Sequence, residues 1–160
     1  MFASRLAGVA LRTPPPARDT RRAMSEENVE TVRTLFEAFL RRDTKTMAAI
    51  LAPQIEWDAT RSAGLVPDLA GVYRGPEGTR KFWRAWLSPW KNIEFDFELR
   101  DAGSEVVALV RNQRQWGRHS DVETEGPPYA WLYTVVDGKV VRGRFFPDHR
   151  SALQAAGLEE

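Results

Sequence analysis

The stretch from Tyr129 to Asp148, YAWLYTVVDGKVVRGRFFPD, constrains this chain more than any other. Two aromatic and β-branched runs flank Asp137-Gly138. A two-residue type I′ turn needs positive φ at both central positions, which glycine tolerates freely and aspartate better than most residues. The stretch therefore predicts a strand, a tight turn and a second strand. A short helix over residues 150–156 follows and stops at Gly157. Strands this long and aromatic must wrap around either packed side chains or a ligand.

Upstream, Ser25 is a suitable N-cap for a helix with Glu26 and Glu27 in its first turn, where acids complement the helix dipole. Val29, Val32, Leu35, Phe36, Phe39 and Leu40 recur at three- and four-residue spacing and form one apolar stripe. Asp43 can cap a second, shorter helix carrying Met47, Ile50 and Leu51, which Pro53 ends. Residues 55–58, Ile-Glu-Trp-Asp, read as a short strand, and Gly64, Pro67 and Gly71 mark a loop after it. Gly75-Pro76 opens a third helix with a bulky face of Phe82, Trp83, Trp86, Leu87 and Trp90. Ile93, Phe95, Phe97 and Leu99 then alternate with charged residues, as in a half-buried strand, and a second strand runs from Glu105 to Trp116. Helices first and hairpin-linked strands later predict an α+β fold with helices over one face of a curved antiparallel sheet.

A chain of 160 residues suits one domain. Residues 1–23 differ from the rest, with five arginines, one acid and a Pro14-Pro15-Pro16 run, and read as a disordered or mis-started extension before Met24. Without them 18 basic and 21 acidic side chains remain, a net −3, which gives nucleic-acid binding no electrostatic support. Cysteine is absent, so thiolate nucleophiles and thiolate metal sites are excluded. No apolar run approaches the roughly 20 residues that cross a bilayer, and a cytoplasmic location is expected. His119 and His149 both read as surface residues, too few for a metal site, and neither a Gly-rich phosphate loop nor GxSxG occurs. Any chemistry is expected to need no cofactor.

Several pieces in order resemble the SnoaL-like branch of the nuclear transport factor 2-like superfamily over residues 25–158. They are the helix EENVETVRTLFEAF starting at Glu26, the Ile55–Asp58 strand, YRGPEG from Tyr73, the Asp137–Val141 turn and the closing ALQAAGL from Ala152. The resemblance implies a cone: a strongly bent sheet around a cavity, three helices from the N-terminal half closing it, and a short C-terminal helix. Relatives include ketosteroid isomerases, limonene-epoxide hydrolases and polyketide cyclases. Homodimers through the outer sheet face are usual.

By that resemblance Asp58 stands where a catalytic carboxylate projects into the cavity. Walled by rings it would be poorly solvated, with a raised pKa suited to a base near neutral pH. Leu35 replaces the tyrosine of the isomerases, and Trp131 replaces their second acid. If Trp131 faces inward, strand alternation turns Tyr129 and Tyr133 inward too. The same alignment turns Val110, Asn112, Arg114 and Trp116 inward, and Arg111, Gln113 and Gln115 outward. Arg114 would then meet Asp58 or an acidic ligand, with Asn112 helping to orient it. Phe82 and Trp86, with Leu35 and Phe39, are expected to wall a pocket for a small apolar or aromatic molecule. Asp148 reads as the N-cap of the last helix. Val140, Arg142, Arg144 and Phe146 are expected outward, their arginines meeting Glu94, Asp96 or Glu98 of a second copy. Two functions stay open: cofactor-free isomerisation, cyclisation, dehydration or epoxide hydrolysis, or a non-catalytic binding or association module.

Overall fold

Helix α1 spans Ala17–Leu40 in the computed structural model, which describes residues 17–159. It begins well before Ser25. Residues 17–24 hold Ala, Arg and Met, good helix formers, and those from 20 to 24 are exposed. Over residues 20–24 propensity rather than packing extends the helix, so no apolar stripe could announce it. The remainder of the expected extension, residues 1–16, lies outside the described residues. Further along, Val32, Leu35 and Phe36 are buried as their spacing predicts. Arg42, at φ 58°, breaks the helix. Asp43 caps α2 (Thr44–Ile50), accepting the Thr46 N–H at 3.1 Å. That helix ends one residue early, because Leu51 already belongs to β1 (Leu51–Asp58) and Pro53 sits inside the strand. Pro53 falls where the pairing register breaks, between Leu51 and Glu56, so its missing N–H disturbs no regular ladder.

Two 3₁₀ turns, Thr60–Gly64 and Pro67–Leu69, fill the expected loop and lead to β2 (Val72–Arg74) and α3 (Gly75–Leu87). The remaining elements are β3 (Trp90–Ala102), β4 (Glu105–Gly117), β5 (Glu123–Glu125), β6 (Tyr129–Val136), β7 (Lys139–Phe146) and α4 (His149–Ala155). The strands form one curved, unclosed sheet in the order β2-β1-β7-β6-β4-β3, with β5 beside β4. The sheet is mixed rather than purely antiparallel: β1 lies parallel to β7, its neighbour from the far end of the chain. At the β6–β7 turn Asp137 and Gly138 have φ of 50° and 73°, as a type I′ hairpin requires.

Two faces of the sheet carry two separate cores. Val106, Ala108 and Val110 of β4, with Trp131 and Tyr133 of β6, pack inward against Phe36 and Phe82 of the helices. Val107, Leu109, Ala130 and Leu132 point the other way, where Ala152 and Leu153 of α4 cover them. Asp148 caps that helix, its carboxylate accepting the Ser151 N–H at 2.7 Å. His149 is half-buried rather than on the surface, its Nε2 lying 2.9 Å from the Val110 carbonyl oxygen. Among the described residues no helix is long and apolar enough to cross a membrane.

Extra residues in β7 and β4 reset the alternation. The β6–β7 register slips between Thr134 and Val135. Val140 therefore faces the inner core, and Phe146 is buried beneath α4 instead of facing outward in the open. Arg142 and Arg144 do point outward, but they pair with Glu56 and Glu105 of their own chain. Glu94 and Glu98 are likewise engaged internally, with Arg114 and with Arg100 and Arg111. The charge pairing expected with a second copy thus has counterparts inside one chain.

Gly143 lies between Trp57 and Tyr133 across three paired strands. A Cβ there would sit 3.1 Å from both rings. Its lack of a side chain lets the two aromatics close over the strand. Gly143→Ala should lower stability by about 1–3 kcal/mol, read as a reduced midpoint in urea unfolding with unchanged slope. A stability equal to wild type would show that the rings yield freely.

Candidate ligand cavity

Alternation on β6 delivers Tyr129, Trp131 and Tyr133 to the inner face without interruption, because the β6 irregularity comes only after Thr134. Opposite them, α3 presents Phe82, Trp83 and Trp86, and α1 presents Leu35, Phe36 and Phe39. Met47, Trp57 and Phe95 complete the wall of one cavity. The rings interlock closely: Trp57 lies tilted 4.7 Å from Trp131, while Phe82 meets Tyr73 at 5.3 Å and Trp86 meets Tyr129 at 5.8 Å edge to face. What remains open is about 40 Å³. By the same measure a water takes about 10–15 Å³, so the space suits a few waters rather than a substrate.

Seven of the residues expected to line a pocket are brought together here: Leu35, Phe39, Phe82, Trp86, Tyr129, Trp131 and Tyr133. Asp58, Asn112, Arg114 and Trp116 are not. On β1 it is Ile55 and Trp57 that are buried, which turns Glu56 and Asp58 to the other side. The Asp58 carboxylate accepts the Thr60 N–H at 2.9 Å and closes a local turn. Partial burial opposes its charge, but hydrogen bonds from Thr60 and the nearby Arg61 and Arg142 outweigh that, and its pKa is lowered. This is the reverse of the shift a general base near neutral pH needs.

The β4 correction has a backbone cause. Asp96 pairs with Arg111 and Glu94 with Arg114, so β4 holds one residue more than β3 across this interval. Asn112, at φ 56°, takes up the bulge in a left-handed conformation that asparagine tolerates. Alternation holds to Val110 and then inverts. Gln113 and Gln115 are buried, while Asn112 and Arg114 are exposed. Asn112 donates to Asp96 at 2.9 Å, and Arg114 lies 3.0 Å from Glu94 and 5.7 Å from the half-buried Trp116 ring.

The two buried glutamines extend the cavity wall by hydrogen bonds. Tyr129 Oη donates to Gln113 Oε1 at 2.6 Å, Gln113 Nε2 to Gln115 Oε1 at 3.0 Å, and Gln115 Nε2 to Thr124 Oγ1 at 2.9 Å. The chain holds the Tyr129 ring against the cavity and satisfies its buried hydroxyl. Burial pushes both wall phenols up in pKa, Tyr133 further under the influence of Tyr129, so both stay neutral at physiological pH. Among the described residues no group of three or more His, Cys, Asp or Glu could hold a metal ion. Five wall residues were not expected in the pocket: Phe36, Met47, Trp57, Trp83 and Phe95; for Trp57 the alternation with Glu56 and Asp58 was the signal.

The SnoaL-like domain family matches residues 32–143 of the sequence. No curated protein matches it. Solved structures of the same architecture include an NTF2-like protein of unknown function from Burkholderia pseudomallei. That protein is 22% identical at a TM-score of 0.65, over 80% of this chain and 95% of its own. TerC, co-crystallised with polyporic acid, is 18% identical at 0.64, over 82% and 98%. A candidate polyketide cyclase from Xanthomonas campestris is 16% identical at 0.63, over 82% and 97%. At these identities the likeness is one of fold.

Proposed function

Because this chain belongs to the SnoaL-like domain family, we propose that its aromatic interior is a binding chamber for a small, flat, largely apolar molecule, and that the protein acts as a ligand-binding module without turnover at Asp58. One observation carries this reading: every residue of the cavity wall is aliphatic, aromatic or methionine, with no carboxylate, imidazole or cation among them. Such a wall offers dispersion and ring stacking but no group able to take a proton near neutral pH. The two phenols, neutral at this pH in any case, have their pKa raised further by burial. Fold alone would decide nothing, since one architecture hosts many functions. TerC, a fold neighbour, is co-crystallised with polyporic acid.

A ring-sized ligand exceeds 40 Å³, so binding requires the wall to move. Phe39 and Trp86 are its half-buried members and the ones with room to swing. Titration with indane, followed by tryptophan fluorescence and calorimetry, should give saturable binding with a negative heat-capacity change. It should also raise the melting temperature as free indane exceeds its Kd. No saturation and no thermal shift up to the solubility limit of indane would mean that the rings simply pack the interior.

A further inference from the structure

Trp57 is 3% exposed and stands in the cavity wall, yet its Nε1–H meets no hydrogen-bond partner. Buried donors are nearly always satisfied, because a dry N–H costs more than an ordinary hydrogen bond returns. Two other buried side-chain nitrogens share this state among the described residues, the Nε atoms of Arg80 and Arg144. Each belongs to a guanidinium whose other nitrogens already reach Glu77 or Glu105. Trp57 has no such second bond to fall back on.

The surroundings explain why the chain leaves this donor idle. Trp57 is ringed by Trp131 at 4.7 Å, Trp83 at 5.6 Å, Tyr133 at 5.8 Å and Phe82 at 5.9 Å, and the Tyr133 hydroxyl, the one oxygen on these rings, makes no hydrogen bond to its Nε1–H. Gly143, paired with it on β7, brings no side chain. The Tyr129 hydroxyl, the polar group on the same wall with a settled bond, is committed to Gln113. Phenylalanine would supply most of the same packing without an unpaired donor. An indole at this position makes sense when an acceptor arrives with a ligand.

We propose that the Trp57 Nε1–H is the recognition donor of the cavity, and that its ligands are flat apolar molecules carrying a carbonyl-type oxygen, as ketones, quinones or lactones do. The proposal rests on the binding reading above and narrows it. A carboxylate is disfavoured, because the wall offers no cation and one neutral N–H does not offset an unpaired buried charge. A hydrocarbon of the same outline fills the space but leaves the donor dry. Sites built to hydrogen-bond a ligand discriminate against the analogue lacking that group for this reason.

Indane and 1-indanone share a rigid flat outline and differ by a methylene against a carbonyl, which makes them the test pair. Wild-type protein should bind 1-indanone about tenfold more tightly than indane, the ordinary net effect of one buried neutral hydrogen bond. In Trp57→Phe that ratio should fall to about one, whatever the variant does to absolute affinity. In wild-type protein 1-indanone, and not indane, should move one indole N–H resonance downfield; its absence from the Trp57→Phe spectrum identifies it. This second measurement stands even if the variant folds poorly. Equal affinity of the wild type for both probes, or an unmoved indole resonance while 1-indanone binds, would overturn the proposal. An enclosed water would then be the acceptor, and the binding reading would survive. Failure of both probes to bind would remove the binding reading itself, and this proposal with it.

Discussion

Trp131→Ala is expected to lose about 3–5 kcal/mol of stability and to bind indane more tightly than wild type. The Trp131 ring is buried and contacts Trp57 at 4.7 Å, Phe145 at 5.3 Å and Phe82 at 5.9 Å, with Tyr133 stacked at 6.1 Å. Removing it deletes the transfer free energy of an indole and leaves a void. That void borders the existing 40 Å³ and cannot collapse easily, since its walls are strands held in register on both sides of β6. A domain of this size has only about 5–15 kcal/mol of stability, so the variant should be folded but close to its limit at room temperature. Indane should then restore part of the loss by mass action, about 2.7 kcal/mol at a hundredfold excess over Kd. Urea unfolding at several indane concentrations measures both effects. A loss below about 1 kcal/mol would show that Trp131 is not packed as described, and a full loss without rescue would show that indane does not enter the void. Trp131→Phe, a milder truncation, keeps the comparison available if the alanine variant does not fold.

How much of this was legible in the sequence depended on where the backbone stayed regular. The Asp137-Gly138 turn, the Asp43 and Asp148 caps, the Gly75-Pro76 helix start and the inward Tyr129, Trp131 and Tyr133 all follow from local rules, and the structure has each of them. Bulges carry no comparable signature. One extra residue at Asn112 exchanged the faces of Asn112 and Arg114 with those of Gln113 and Gln115, and so removed the expected arginine from the interior. Asparagine tolerates a left-handed conformation, but it does so in many turns, and nothing in the run VRNQRQ marks this one. A slip on β7 did the same to Val140. Asp58 is a different case. The pattern Ile55-Glu56-Trp57-Asp58 says apolar in and charged out, and a position borrowed from isomerase relatives overrode it. Physics local to the strand was the better guide. The size of the residual cavity, finally, depends on how ten rings interlock around Leu35 and Met47, and no pattern along the chain encodes that.

Alkaline pH should unfold the protein steeply, through the same two phenols that line the cavity. Tyr129 and Tyr133 are both buried, and burial raises the pKa of each in the folded state, with Tyr129 adding to the shift at Tyr133. In the unfolded chain both should ionise near the ordinary tyrosine value of about 10. The folded state therefore holds two protons that the unfolded state has released once the pH passes about 10. Stability from this source is complete below that value and falls as the pH rises toward the folded pKa values. Each group contributes about 1.4 kcal/mol per pH unit, so the pair removes about 2.7 kcal/mol per unit. Two units above the onset, that loss is comparable to the whole stability of a small domain. Tyrosinate absorbance at 295 nm should thus appear for these two residues together with the loss of circular dichroism, in one transition. Tyr133→Phe should roughly halve the pair's contribution to the slope and shift the transition to higher pH, which separates this effect from every other group titrating in that range. Tyrosinate signals from both residues arising near pH 10 with secondary structure intact would mean that bulk water reaches the phenols, and a cavity open to bulk water would no longer be the closed, ring-lined chamber on which ligand binding here depends.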